Sequence, residues 1–181
     1  MIIQEVNKAI EDYRDGCKEI GQKMLIKHQS IPIMFSMLIQ DHDEFHAMYI
    51  PELAKVFNED KNKFVFVVRK LIKEFKPIAT AIITEAWLVK RKNQEDYDFN
   101  KRVSEQDDKI EVLIVQSETF QDVSIATYNI IRNGDKIELE ADEDLNTTSK
   151  DNVQGNFSDL LKENYERFHV EIEENLKKNL N

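Results

Sequence analysis

The chain has 181 residues, 41% of them hydrophobic and 33% charged, with a formal net charge of −10. Length and apolar content support one domain with a proper core, while the acidic balance repels nucleic-acid phosphate. A single cysteine, Cys17, excludes an internal disulfide and thiolate zinc clusters, and no apolar run approaches the ~20 residues that cross a bilayer.

Glu5, Lys8, Glu11, Asp12, Arg14 and Asp15 interrupt any apolar signal-peptide core, so a soluble protein of the reducing cytoplasm is expected. The charge is uneven. Residues 134–181 hold 13 acids and 6 bases, which leaves −3 for the remainder. That quarter would steer a basic partner or a divalent cation, although acidity also serves solubility alone.

In chain order, the spacing predicts a first helix over residues 2–27. Ile3, Val6, Ile10, Tyr13, Cys17, Ile20 and Met24 recur in alternating steps of three and four. A coiled coil is one reading. A helix lying on the domain's own sheet is preferred, because Gly16 and Gly21 each cost roughly 1 kcal/mol in a helix that stands alone. Cys17 sits on the stripe and is expected to be a buried small hydrophobe. Pro32 ends this region. Ile33–Gln40 and Glu44–Ile50 read as a hairpin around Asp41-His42-Asp43. Pro51 opens a second helix running to Lys76, with a break possible at Asn58-Glu59-Asp60.

The stretch Ile78–Arg91 reads as the central strand. Both of its alternating sets are apolar or small, which predicts cover on both faces. Residues 91–108 are charged and are expected to form a mobile loop. Strands follow at Lys109–Phe120 and Val123–Arg132, and Asn133-Gly134 turns the chain into a short last strand, Lys136–Glu140. Residues 1–140 thus form one domain, 141–156 a flexible acidic linker, and 157–181 an amphipathic helix with Leu161, Tyr165, Phe168, Ile172 and Leu176 in line. The fold class is α+β: an antiparallel β-meander of about five to six strands packed with helices, in the order α-β-β-α-β-β-β-(β)-α.

Glu85-Ala86-Trp87, then Ser104-Glu105, then Asp108-Lys109-Ile110-Glu111-Val112 resemble a group of small uncharacterised bacterial and phage proteins. Those proteins carry a strand ending in EAW, a charged loop, and a D-(K/R)-x-E-V opening to the next strand. The resemblance spans about residues 30–140. It implies a fold unit and no assigned chemistry.

Four glycines, Gly16, Gly21, Gly134 and Gly155, offer no phosphate-binding or dinucleotide-binding spacing, and no serine sits in a nucleophile elbow. No cofactor is expected. Two constellations remain. Asp41-His42-Asp43-Glu44-Phe45-His46 is dense in ligands, and His42 with His46 could hold a metal on a helix; on a turn and strand they separate, which is the preferred reading. The other is Glu85 with Trp87 on one strand face and Glu111 on the neighbouring strand. Meeting carboxylates would raise one pKa, as general acid–base chemistry requires. The preferred alternative is Glu85 paired with a base such as Lys109 or Arg132.

Two functional classes follow. The first is a non-enzymatic interaction or regulatory domain, self-associating as a homodimer, with Trp87 as a binding residue and a protein partner possible. The second is a small hydrolase or metal-dependent enzyme that uses Glu85 and Glu111. Neither nucleic acid nor membrane is an expected partner. The basic run Lys90-Arg91-Lys92 with Lys101-Arg102 reads as a solvated loop.

Overall fold

A strand covered on both faces needs a layer on each side, and the computed structural model supplies both. It describes residues 3–42, 44–90, 101–148 and 161. Helix α1 (Ile3–His28) leads into β1 (Met34–Asp41) and β2 (Glu44–Tyr49). Helices α2 (Leu53–Glu59) and α3 (Lys61–Phe75) follow, then β3 (Ala79–Val89). A 3-10 turn at Val103–Glu105 precedes β4 (Lys109–Thr119), β5 (Val123–Asn133), β6 (Lys136–Ala141) and a two-residue β7 (Thr147–Thr148). All pairings are antiparallel, in the order β2-β1-β3-β4-β5-β6, with β7 also on β5. The α+β meander is therefore the fold.

Residues 79–83 of β3 are all buried. Ala79, Ala81 and Ile83 join a core with α1, whereas Ile82 joins a second core with Phe64, Val68 and Ile72 of α3. The period of two therefore divides the strand between two helical layers.

Three sequence expectations change. The stripe of α1 holds at Ile10, Tyr13 and Cys17 but then moves to Gly21 and Leu25, leaving Ile20 53% exposed. Gly21 lets the helix approach the sheet: a Cβ there would lie 2.8 Å from Ile83 Cγ2. The second helix is two helices. Asp60 is extended, and its side chain accepts from the backbone N–H of Asn62 and Lys63, so it caps α3 where continuous periodicity had joined the pair. The end of the expected mobile loop is ordered as the 3-10 turn, with Gln106 buried, and residues 91–100 lie outside the described residues.

Ordering also reaches into the expected acidic linker. Along the edge of β5, β6 pairs with residues 128–133 and β7 with Ser124 and Ile125. Between them the chain makes an excursion over residues 142–146. The Asp142 N–H donates to the Thr127 carbonyl, and Asn146 Oδ1 accepts the Thr127 N–H at 2.8 Å. One edge strand thus continues across an interruption, closed by a side chain that stands in for a missing ladder bond. The remainder of the expected linker and of the C-terminal helix, apart from Leu161, lies outside the described residues.

Candidate functional site

Register decides which side chains meet. Trp87 faces Glu111 and Glu85 faces Leu113 across β3 and β4, so the two carboxylates and the indole share the face that carries α1. The expected convergence of Glu85, Trp87 and Glu111 therefore occurs. Arg132, near the end of β5, reaches between the carboxylates. Its Nε donates to Glu111 Oε2 at 2.7 Å and its Nη2 to Glu111 Oε1 at 2.7 Å, a two-pronged bridge. Nη2 also approaches Glu85 Oε2 at 3.4 Å.

The same guanidinium reaches the end of α1. Gln29, with φ 65°, terminates the helix in the left-handed region, and its N–H returns to the Leu25 carbonyl at 2.8 Å. Arg132 Nη1 donates to the Gln29 carbonyl at 2.7 Å, and the Ile31 N–H donates to Glu85 Oε1. Glu85 thus collects the chain leaving the helix, while Arg132 ties that exit to β4.

The electrostatics follow. Arg132 holds the Glu111 carboxyl below its ordinary value, chiefly through hydrogen bonding and partly through charge, with burial opposing. Glu111 in turn raises Arg132. This is the behaviour of a paired anion. A general acid at neutral pH needs the opposite shift.

Trp87 stays 45% exposed beside the bridge. Lys109 Nζ lies 5.1 Å from the centroid of its ring and also donates to the Ser104 carbonyl, joining the strand to the 3-10 turn. His42 is in the hairpin turn at φ 53° and His46 on β2 opposite Ile39, so the turn and strand separate them. His42 lies 3.8 Å from Asp41 and His46 3.5 Å from Glu44, both acids close in sequence. Among the described residues no three His, Cys, Asp or Glu side chains gather to hold a metal ion. An open groove of about 250 Å³ beside α1 and β7, lined by Lys18, Ser124, Ile125, Asn146 and Thr147 among others, brings no carboxylate or imidazole.

Sequence reasoning missed two buried acids. Asp142 pairs with Lys90, and Glu118 accepts the Leu161 N–H at 3.0 Å. Glu118 carried the signal that drew attention to Glu85, a charge within an apolar strand, but its polar neighbours Gln116, Ser117 and Thr119 masked it.

No protein-family model, curated protein or solved structure matches the chain.

Proposed function

We propose that this chain is a non-enzymatic interaction domain that self-associates as a homodimer, and that Trp87 belongs to a surface that contacts a protein partner. The observation that carries the first part is the Glu85–Arg132–Glu111 bridge. Both candidate catalytic carboxylates are engaged in fastening α1 to the sheet, and Glu111 is held in its charged form. Trp87 is half-exposed with Lys109 over its ring, and Trp is among the residues that dominate binding energy at protein interfaces.

Self-association draws support from an exposed apolar residue of the fold and from the pattern of the C-terminal sequence. Phe66 is 59% exposed on α3. Tyr165, Phe168, Ile172 and Leu176 recur at helical spacing in the C-terminal sequence, and such a stripe must be buried somewhere. A symmetric dimer is the commonest oligomer, and a second copy is the cover proposed here.

A thermal-shift panel of divalent cations and common metabolites tests the choice between binding module and enzyme. A ligand at one hundred times its Kd adds ~2.7 kcal/mol and raises the transition. No shift is expected. An upward shift that disappears in Glu111→Gln would favour the enzyme that uses Glu85 and Glu111.

A further inference from the structure

Among the described residues β2 is an outer strand of the sheet, paired with β1 alone. Alternate residues of an antiparallel strand send both of their main-chain groups to the same side. The Ile50 N–H donates to the Phe35 carbonyl at 3.2 Å, and the Met48 carbonyl accepts from Ser36 Oγ at 3.0 Å. Glu44, His46, Met48 and Ile50 therefore turn toward β1, while Phe45, Ala47 and Tyr49 turn their N–H and C=O groups outward. Solvent reaches that side: Ala47 is exposed and Tyr49 is 45% exposed.

The two ends of the sheet are guarded differently. β6, at the other end, exposes Lys136, Glu138 and Glu140 along its length, and such charges deter edge-to-edge pairing. β2 has one carboxylate, Glu44 beside the turn, with neither lysine nor proline. Its register with β1 runs unbroken from Ser36–Tyr49 to Asp41–Glu44, so no bulge twists the edge away.

The side-chain pattern of this edge fits a second copy of itself. A two-fold axis normal to the sheet keeps every side chain on its own face. Centred on Ala47, it sets Phe45 opposite Tyr49 of the second copy and Tyr49 opposite the other Phe45, with the two alanines between them. Aromatic pairs directly across antiparallel strands are stabilising, and Phe45 already packs against the α1-side core. The residues opposed in this register are also those with outward main-chain groups, so each pair exchanges two hydrogen bonds. Centred on His46 instead, the axis would oppose two imidazoles and set each Phe45 against an alanine. The large-small-large order, symmetric about Ala47, favours a second copy over an unrelated strand.

Resting on the self-association reading above, we infer that two copies join edge to edge, β2 antiparallel to β2 about a two-fold axis at Ala47, so that the two sheets become one. The interface is isologous, each chain giving and receiving the same contacts.

Full-length Ala47→Lys and Ala47→Glu each place two like charges on the axis. Circular dichroism confirms folding, and light scattering gives the mass of the parent, each variant and their equal mixture. The edge pairing predicts a two-chain parent, a mass halved in each variant, and two-chain particles on mixing, because a lysine then faces a glutamate across the axis. Ala47→Pro, whose lost N–H points away from β1, stands in should a charged variant not fold, and it too should have half the parent mass. A two-chain parent whose folded variants remain two-chain would overturn the edge pairing and leave self-association standing. Single-chain charged variants whose mixture stays single-chain would also overturn it. A single-chain parent would remove both readings.

Discussion

Arg132 satisfies three elements with one side chain: a carboxylate on β4, a second on β3, and the carbonyl that ends α1. Arg132→Met would leave the diagonal neighbours Glu85 and Glu111 without the cation between them and the Gln29 carbonyl without this donor. Because the guanidinium is about one-third exposed, the expected loss is about 2 kcal/mol, below that for a fully buried pair. Glu85→Gln keeps an acceptor for the Ile31 N–H and loses only the charge, so about 1 kcal/mol is expected at neutral pH. A Glu85→Gln protein as stable as the parent in urea denaturation would contradict the bridge. The pH dependence has a definite sign. The native pKa of Glu111 lies below its ordinary value of 4.5, so its contribution is full above that value and drains away as pH falls through the native one. Arg132→Met should lose that acid dependence, measured as urea midpoint against pH. The sequence made Glu85 legible, as a charge in an apolar strand that needs a partner. It also offered Arg132 as one. What it hid was the backbone: Gln29 and Ile31 join the cluster only because α1 ends beside that strand.

At the scale of elements, α1 depends on a missing methyl group. Alanine favours a helix by about 1 kcal/mol over glycine. Gly16 has open space around its absent Cβ, so Gly16→Ala should stabilise by up to that amount. Gly21→Ala would meet Ile83 and should destabilise by about 1–2 kcal/mol despite the same gain in propensity. Thermal melts of the two variants moving in the same direction would show that α1 does not lie on the sheet through Gly21. Cys17 on the same face is 4% exposed, and burial pushes its thiol up to about 11, so thiol reagents should react only on unfolding. The interruption between β6 and β7 gives a third test. Asn146→Ala leaves the buried Thr127 N–H without that acceptor and should cost about 1–3 kcal/mol by urea denaturation. Periodicity made α1, the hairpin and the central strands legible, with ends within a residue or two. It misread residues 142–148, whose acids and amides resemble a linker, because ordering there comes from bonds to β5 and not from apolar pattern. It offered the break at 58–60 without requiring it for the converse reason, since the apolar positions of α2 and α3 stay in phase across the cap at Asp60.

For the whole molecule, α1 lies on one face of the sheet, and α3 packs on the other beside β1 and β3. Among the described residues scattered apolar side chains stay exposed, Trp87 and Phe66 among them, while Leu161 is sunk in the core. The fold was legible because each strand carries its own alternation and each turn its own chemistry. Function was not, because an interaction surface of the kind proposed would leave no spacing rule in a sequence. The mass of the full-length chain by light scattering, followed across a dilution series, bears most directly on the proposed self-association. The account predicts twice the 21.3 kDa of one chain, falling toward that value only on dilution. A particle of 21.3 kDa at every concentration would contradict it.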